Sequence, residues 1–191
     1  AKRFVVVEEV YDEFVSEFKK LMETKKVGDP FDEATDIGPM AREDLRDGLH
    51  DQVQKSIEAG ADCTLGGEKP GAAGSYYPVT ILENVTKGMP AYDEELFGPV
   101  ASIIKVQDEA EAIKVANDSI YGLGASIYSS DVEKAEKIAA EQLEAGCCFV
   151  NDFVKSDPRL PFGGIKQSGY GRELGLYGIR EFVNTKTVYV K

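Results

Sequence analysis

An α/β fold, with an open, mostly parallel twisted sheet and helices on both faces, is predicted by three features of the sequence. Short β-rich runs alternate with amphipathic stretches of about ten to fifteen residues, the pattern of βαβ units. The 191 residues are 42% hydrophobic and 29% charged, an ordinary globular composition that suits one large domain. No self-similarity with a period of roughly 20 to 50 residues is visible, which sets aside solenoids and propellers.

The elements follow in order. Arg3 to Glu8 is a β-branched run, and Val10, Phe14, Phe18, Leu21 and Met22 continue it at helical spacing with Glu and Lys between them. Val27-Gly28-Asp29-Pro30 stops that helix, because Gly accepts a left-handed cap and Pro cannot extend it. Leu45, Leu49, Val53 and Ile57 then fall on one helical face that Gly60 closes. Short strands are expected at Cys63 to Leu65 and Tyr77 to Leu82, separated by the Gly- and Pro-rich turn 66–71. Val100 to Val106 alternates as a strand, and Asp108 with Glu111 reads as an acidic capping box opening the next helix. Gly124 to Tyr128 is another strand. Ser130 with Glu133 forms a second box before a helix whose apolar face is Val132, Ala135, Ile138, Ala139 and Leu143. Cys147 to Asn151 is strand-like, Pro158 to Gly175 is a glycine-rich loop, and a short helix through Leu176, Ile179 and Phe182 leads to a terminal strand, Thr185 to Val190.

Charge and motif content narrow the function. Lys and Arg number 22 against 34 Asp and Glu, a net charge of −12 that disfavours a nucleic-acid partner, which would require clustered cations. The apolar runs fall far short of the ~18 residues a membrane span requires. Lys2 and Arg3 lead straight into a strand, so no signal peptide is expected. The three cysteines, Cys63, Cys147 and Cys148, make neither a disulfide framework nor a zinc site, and a reduced cytoplasmic setting is expected. Vicinal Cys147 and Cys148 could be nucleophile, redox pair or metal ligand, but their apolar strand pattern favours packing. His50, alone, cannot build a metal site and is expected to face solvent. The glycines of Gly169-Tyr170-Gly171-Arg172-Glu173-Leu174-Gly175 are spaced one residue too widely for a dinucleotide fingerprint, and Gly163 to Ser168 lacks a P-loop ending. In Asp93-Glu94-Glu95-Leu96-Phe97-Gly98-Pro99 a carboxylate and a ring share a turn before a core strand, where a ligand could be gripped by its hydroxyls and stacked upon; on residue types alone a solvated acidic turn is the favoured reading.

Glu95-Leu96-Phe97-Gly98-Pro99 resembles the E-x-F-G-P motif of the aldehyde dehydrogenase superfamily. Pro161-Phe162-Gly163-Gly164-Ile165-Lys166-Gln167-Ser168-Gly169, with Gly171-Arg172-Glu173, resembles its P-F-G-G-x-K-x-S-G-x-G-R-E signature, and the similarity runs through Ile37-Gly38-Pro39, Asn117-Asp118-Ser119 and Phe149-Val150-Asn151. Within the superfamily, Asp44 to Val53 and Ser156-Asp157-Pro158-Arg159-Leu160-Pro161-Phe162 resemble the NAD(P)-dependent succinate-semialdehyde dehydrogenases.

That resemblance implies part of an enzyme oxidising an aldehyde, succinate semialdehyde in the first instance, to the acid through a cysteine thiohemiacetal and a thioester, with NAD or NADP accepting hydride. The chain opens at Ala1 without Met, and the family's nucleophile lies just before the segment resembling Ala1 to Val5. The nucleophilic Cys, the base Glu and the nucleotide-binding domain are therefore expected to lie outside residues 1–184, a catalytic-domain segment inactive alone, with 185–191 a C-terminal oligomerisation strand. By the same resemblance Glu95 accepts hydrogen bonds from the nicotinamide ribose and Phe97 packs on that end of the cofactor. Phe162 lines the aldehyde path, Glu173 stands in a proton path, Arg172 is structural, and Ser156 and Arg159 anchor the substrate carboxylate. The implied partners are the aldehyde, the rest of the parent polypeptide and further copies in a dimer or tetramer. The alternative is a non-catalytic folded assembly module or a domain cut from its parent.

Overall fold

A computed structural model describes residues 2–71 and 74–191; Ala1, first residue of the expected catalytic-domain segment, lies outside the described residues. The elements are β1 (Arg3–Val7), α1 (Glu8–Glu23), α2 (Glu43–Glu58), β2 (Asp62–Leu65), β3 (Thr80–Glu83), α3 (Pro90–Asp93), β4 (Val100–Val106), α4 (Glu109–Asn117), β5 (Tyr121–Gly122), β6 (Gly124–Ile127), α5 (Val132–Glu141), β7 (Cys147–Val150), β8 (Ile165–Lys166) and α6 (Gly175–Arg180). The chain divides into two compact units, Ala1–Ala112 and Ile113–Lys191, with α4 running across the division.

The first unit holds a four-stranded sheet in the order β1-β4-β3-β2. β1 and β3 run parallel to the central β4, and β2 is an antiparallel edge on β3. Register sets Phe4 opposite Ile103 and Ile81 opposite Ala101, so Phe4, Val6, Ile81 and Ile103 share one face. α1 covers that face with Tyr11, Phe14, Val15, Phe18 and Met22, and the Phe4 and Phe18 rings lie 4.9 Å apart. The opposite face is covered as well, since Thr80, Leu82, Val100, Ser102 and Ile104 are all buried. Arg3, on that second face, holds its guanidinium over the Tyr92 ring of α3, and α3 is tied to α2 where Ala91 N donates to the buried Ser56 Oγ at 3.0 Å. Ile81, Leu82 and Ile103 are wholly shielded from solvent. Each such side chain contributes about 1.5–3 kcal/mol, against ~0–1 kcal/mol for an exposed ion pair such as Lys20–Glu17, so the sheet core outweighs the surface charges.

The second unit carries two short ribbons, the antiparallel β5–β8 and the parallel β6–β7, with α5 packed on the latter. Parallel pairing therefore predominates, and the α/β class with a mostly parallel sheet is the one observed.

Several expectations need correction. In α1, Phe14, Phe18 and Met22 pack on the sheet as expected, but Tyr11 is buried while Val10 and Leu21 face outward, because the buried stripe is rotated slightly from the expected one. The cap of α5 is Asp131, whose carboxylate accepts from Lys134 N at 3.0 Å, and not Ser130, one residue too early for the first turn. The box before α4 forms as expected: Asp108 accepts from Glu111 N, and Glu111 reaches back to Gln107 N. His50 is half-buried, its Nδ1 3.1 Å from the hydroxyl of the buried Tyr77, because the α2 stripe through Leu49 and Val53 carries it inward. Cys147 and Cys148 are half-buried in β7. Among the described residues Thr185 to Val190 carries no strand assignment, since a strand is made by pairing and no strand of this unit lies beside it.

Candidate functional site

The acidic turn of the first unit is built by alternation. Leu96 is 2% exposed and anchors the segment, while Glu95 and Phe97 on either side of it project outward, Phe97 with 73% of its surface open. Gly98 is demanded by contact: a Cβ there would sit 2.3 Å from Leu49 Cδ2. Pro99 O then accepts from Thr80 N at 2.9 Å, which feeds the chain into β4. Gln52 of α2 holds the turn from below, its Nε2 donating to Glu94 Oε2 at 2.7 Å and to the Glu95 carbonyl at 3.5 Å. Lys2 stands above it, its ammonium 4.7 Å from the centre of the Phe97 ring. An open ring and an open carboxylate are thus presented together on a braced turn. Sequence reasoning missed Lys2 and Gln52, since both meet the turn through strand register and helix packing.

The second unit uses most of the glycine-rich signature as a staple. Phe162 and Glu173 form an antiparallel bridge through two 2.7 Å backbone hydrogen bonds, which leaves Phe162 half-buried and the Glu173 side chain exposed. Arg172 Nη1 donates to the carbonyls of Gly164 and Gly171 at 2.9 and 2.7 Å, so this cation fixes the turn. Lys166 Nζ donates to the Asn117 and Ser119 carbonyls and pairs with Glu144, and Ser168 Oγ accepts from Gly122 N at 3.0 Å. Gly146 admits the turn, because a Cβ there would overlap the Gly163 carbonyl oxygen.

Ser156 and Arg159 lie on the exposed loop leading to Phe162. Arg159 is not idle there. Its Nε and Nη2 donate to the two oxygens of Asp157 at 2.9 and 2.6 Å, and its backbone N donates to the same carboxylate. This guanidinium holds the Asp157 carboxyl well below the usual carboxylate range. Asp157 engages Nε and Nη2 of the fork, and the Arg159 side chain is 85% exposed. The D-x-R spacing was the signal that could have revealed it.

The three thiols are half-buried. Burial pushes the Cys63 and Cys148 thiols up, and the Cys147 Sγ points to the Gly163 carbonyl at 3.9 Å. Among the described residues no group of three His, Cys, Asp or Glu side chains could hold a metal ion, and no helix is long and apolar enough to cross a membrane. A groove of about 550 Å³ in the first unit, floored by Met22, Val27, Leu65 and Val79, includes neither Glu95 nor Phe97.

A model of the aldehyde dehydrogenase family matches residues 1–188. The chain is 49% identical over 189 residues to a succinate semialdehyde dehydrogenase of Escherichia coli (strain K12) that carries NAD(P)+ in its name, an alignment covering 99% of this chain and 41% of that protein. It is 45% identical over 190 residues to an NADP(+)-designated succinate-semialdehyde dehydrogenase of Mycobacterium avium (strain 104), covering 100% of this chain and 40% of that protein. Among solved structures it is similar to succinic semialdehyde dehydrogenase from Streptococcus pyogenes in complex with NADP+, with TM-score 0.94, 44% identity and coverage of 98% of this chain and 41% of that one. The chain spans about two fifths of the length of the curated relatives it matches.

Proposed function

The chain belongs to the aldehyde dehydrogenase family, and we propose that it supplies the nicotinamide-ribose and aldehyde-anchoring contacts of an NAD(P)-dependent enzyme that oxidises succinate semialdehyde to the acid. The observation that carries this reading is the braced turn with Glu95 and Phe97 both open to solvent. Those two groups fit one end of a nicotinamide nucleoside: a carboxylate accepts from the ribose hydroxyls, and a ring packs beside them. When bound, that cofactor supplies a hydride acceptor for the aldehyde carbon. The turn keeps it from drifting, and Leu96, Gly98 and Gln52 keep the turn from drifting.

Phe162, stapled to Glu173 through the backbone, lines the aldehyde path, and the Glu173 carboxylate passes a proton between the site and solvent. Ser156 donates a hydrogen bond to the substrate carboxylate, and Arg159 meets it on the edge that Asp157 leaves open. The Arg159 side chain of the Arg159–Asp157 pair is 85% exposed, so solvent screens the pair and a second carboxylate can approach the same fork. With a net charge of −12 the chain repels an anion at long range, and these local donors must outweigh that repulsion. In the full natural polypeptide, Ser156→Ala and Arg159→Ala are expected to raise KM for succinate semialdehyde about five- to tenfold while a neutral aldehyde of equal length changes little. Equal effects on the two aldehydes would sink the anchor.

Assembly of copies into a dimer or tetramer is the second part of the proposal. It is supported by the terminal segment, where Phe182, Val188, Tyr189 and Val190 are each more than three-quarters exposed.

A further inference from the structure

We propose that Lys2 is a positioning residue for the turn that carries Glu95 and Phe97, fixing the ring and the carboxylate for a nicotinamide ribose. This inference rests on the reading above and deepens it. β1 runs parallel to β4 with Arg3 opposite Ser102, and Ser102 N donates to the Lys2 carbonyl at 3.1 Å. The residue just before β1 is thereby set at the end of the sheet where the chain, having passed Phe97, enters β4. From there the Lys2 ammonium lies 4.7 Å from the Phe97 ring centre, and its neighbour Arg3 lies 4.7 Å over Tyr92 of α3. Two consecutive cations grip the rings at both ends of the segment from Tyr92 to Phe97.

The physical need is specific to Phe97. Tyr92 is packed and requires no clamp, whereas Phe97 is mostly open and has few neighbours to restrain its rotamer. A cation over its face supplies that restraint. The same ammonium is an electrostatic neighbour of Glu95, and although burial pushes the Lys2 ammonium down, Glu95 acts in the opposite direction. A single half-buried cation therefore restrains the ring and balances the carboxylate that are proposed to receive the ribose.

The test uses the full natural polypeptide and five variants, Lys2→Met, Lys2→Arg, Glu95→Gln, Phe97→Leu and Lys2→Met in a Phe97→Leu background. The readouts are Kd and KM for NAD+ and NADP+, kcat, and Tm. Lys2→Met is expected to weaken nucleotide binding about three- to tenfold, the scale of one lost cation–ring contact with a neighbouring charge, at unchanged Tm. Lys2→Arg restores binding, since guanidinium keeps both the charge and the ring contact. Lys2→Met has a smaller effect once Phe97 is Leu, because only its charge balance with Glu95 is then left to lose. If Glu95→Gln weakens nucleotide binding and Lys2→Met does not, the proposal for Lys2 fails and the cofactor reading stands. If Glu95→Gln leaves binding unchanged, the cofactor reading fails and takes this proposal with it. A Lys2→Met variant that loses only Tm would also overturn it, leaving Lys2 a purely structural residue.

Discussion

Tyr11 carries the clearest charge-coupled contact in the first unit. Its hydroxyl donates to Glu83 Oε2 at 3.2 Å, and burial, reinforced by the Glu83 charge, pushes the phenol up to about 12. An unfolded tyrosine titrates near ~10, so the folded chain holds the proton more tightly. That contribution to stability is fully present below pH ~10 and is lost as pH rises towards ~12. Urea-unfolding midpoints should therefore fall more steeply across that window for the wild-type chain than for Tyr11→Phe, and parallel curves would exclude the coupling. Single residues also mark the limit of what the sequence makes legible. Glu95 and Phe97 announce themselves through a motif of five consecutive residues, and their exposure follows from alternation about Leu96. Lys2, over ninety positions from Phe97, cannot be found that way, because only the pairing of β1 with β4 brings them together. Asp157 was legible in principle, being two residues from Arg159, and its carboxylate changes the role open to that arginine.

Elements whose signals are local formed much as expected. The helices α1, α2, α4 and α5 follow mainly from apolar period, the strands β1 and β4 from β-branched runs, and β2, β6 and β7 from short apolar runs between helices. The errors in strand extent have one cause. Tyr77 to Val79 reads as strand but pairs with nothing before Thr80, where Pro99 O first offers an acceptor. Thr185 to Val190 reads as strand by composition, yet among the described residues no strand pairs with it. The proposal that this segment joins copies makes a direct prediction: removing Lys186 to Lys191 from the full natural polypeptide should lower its particle mass in solution, measured by light scattering. An unchanged mass would rule out that role.

For the whole molecule, the two units are each organised around features that hold loops in place: a covered sheet in one, and a signature turn stapled by Lys166, Ser168 and Arg172 in the other. Burial pushes the Cys63 and Cys148 thiols up, away from the thiolate a nucleophile requires. The 191-residue chain incubated with NAD+ or NADP+ and succinate semialdehyde is accordingly expected to yield no reduced cofactor above background. Turnover by the isolated chain would show that one of its own residues carries the chemistry and would overturn the division of labour proposed above. The sequence by itself determined the α/β class, the elements with local signals and the family, because hydrophobic period, caps and contiguous motifs are properties of neighbours along the chain. Tertiary structure alone decided that α1 buries Tyr11 and turns Val10 and Leu21 outward, that His50 turns in to Tyr77, which carbonyls Arg172 and Lys166 hold, and that Lys2 stands over Phe97. Those outcomes depend on strand register and packing between distant segments, where a shift of one residue would turn each side chain to the other face.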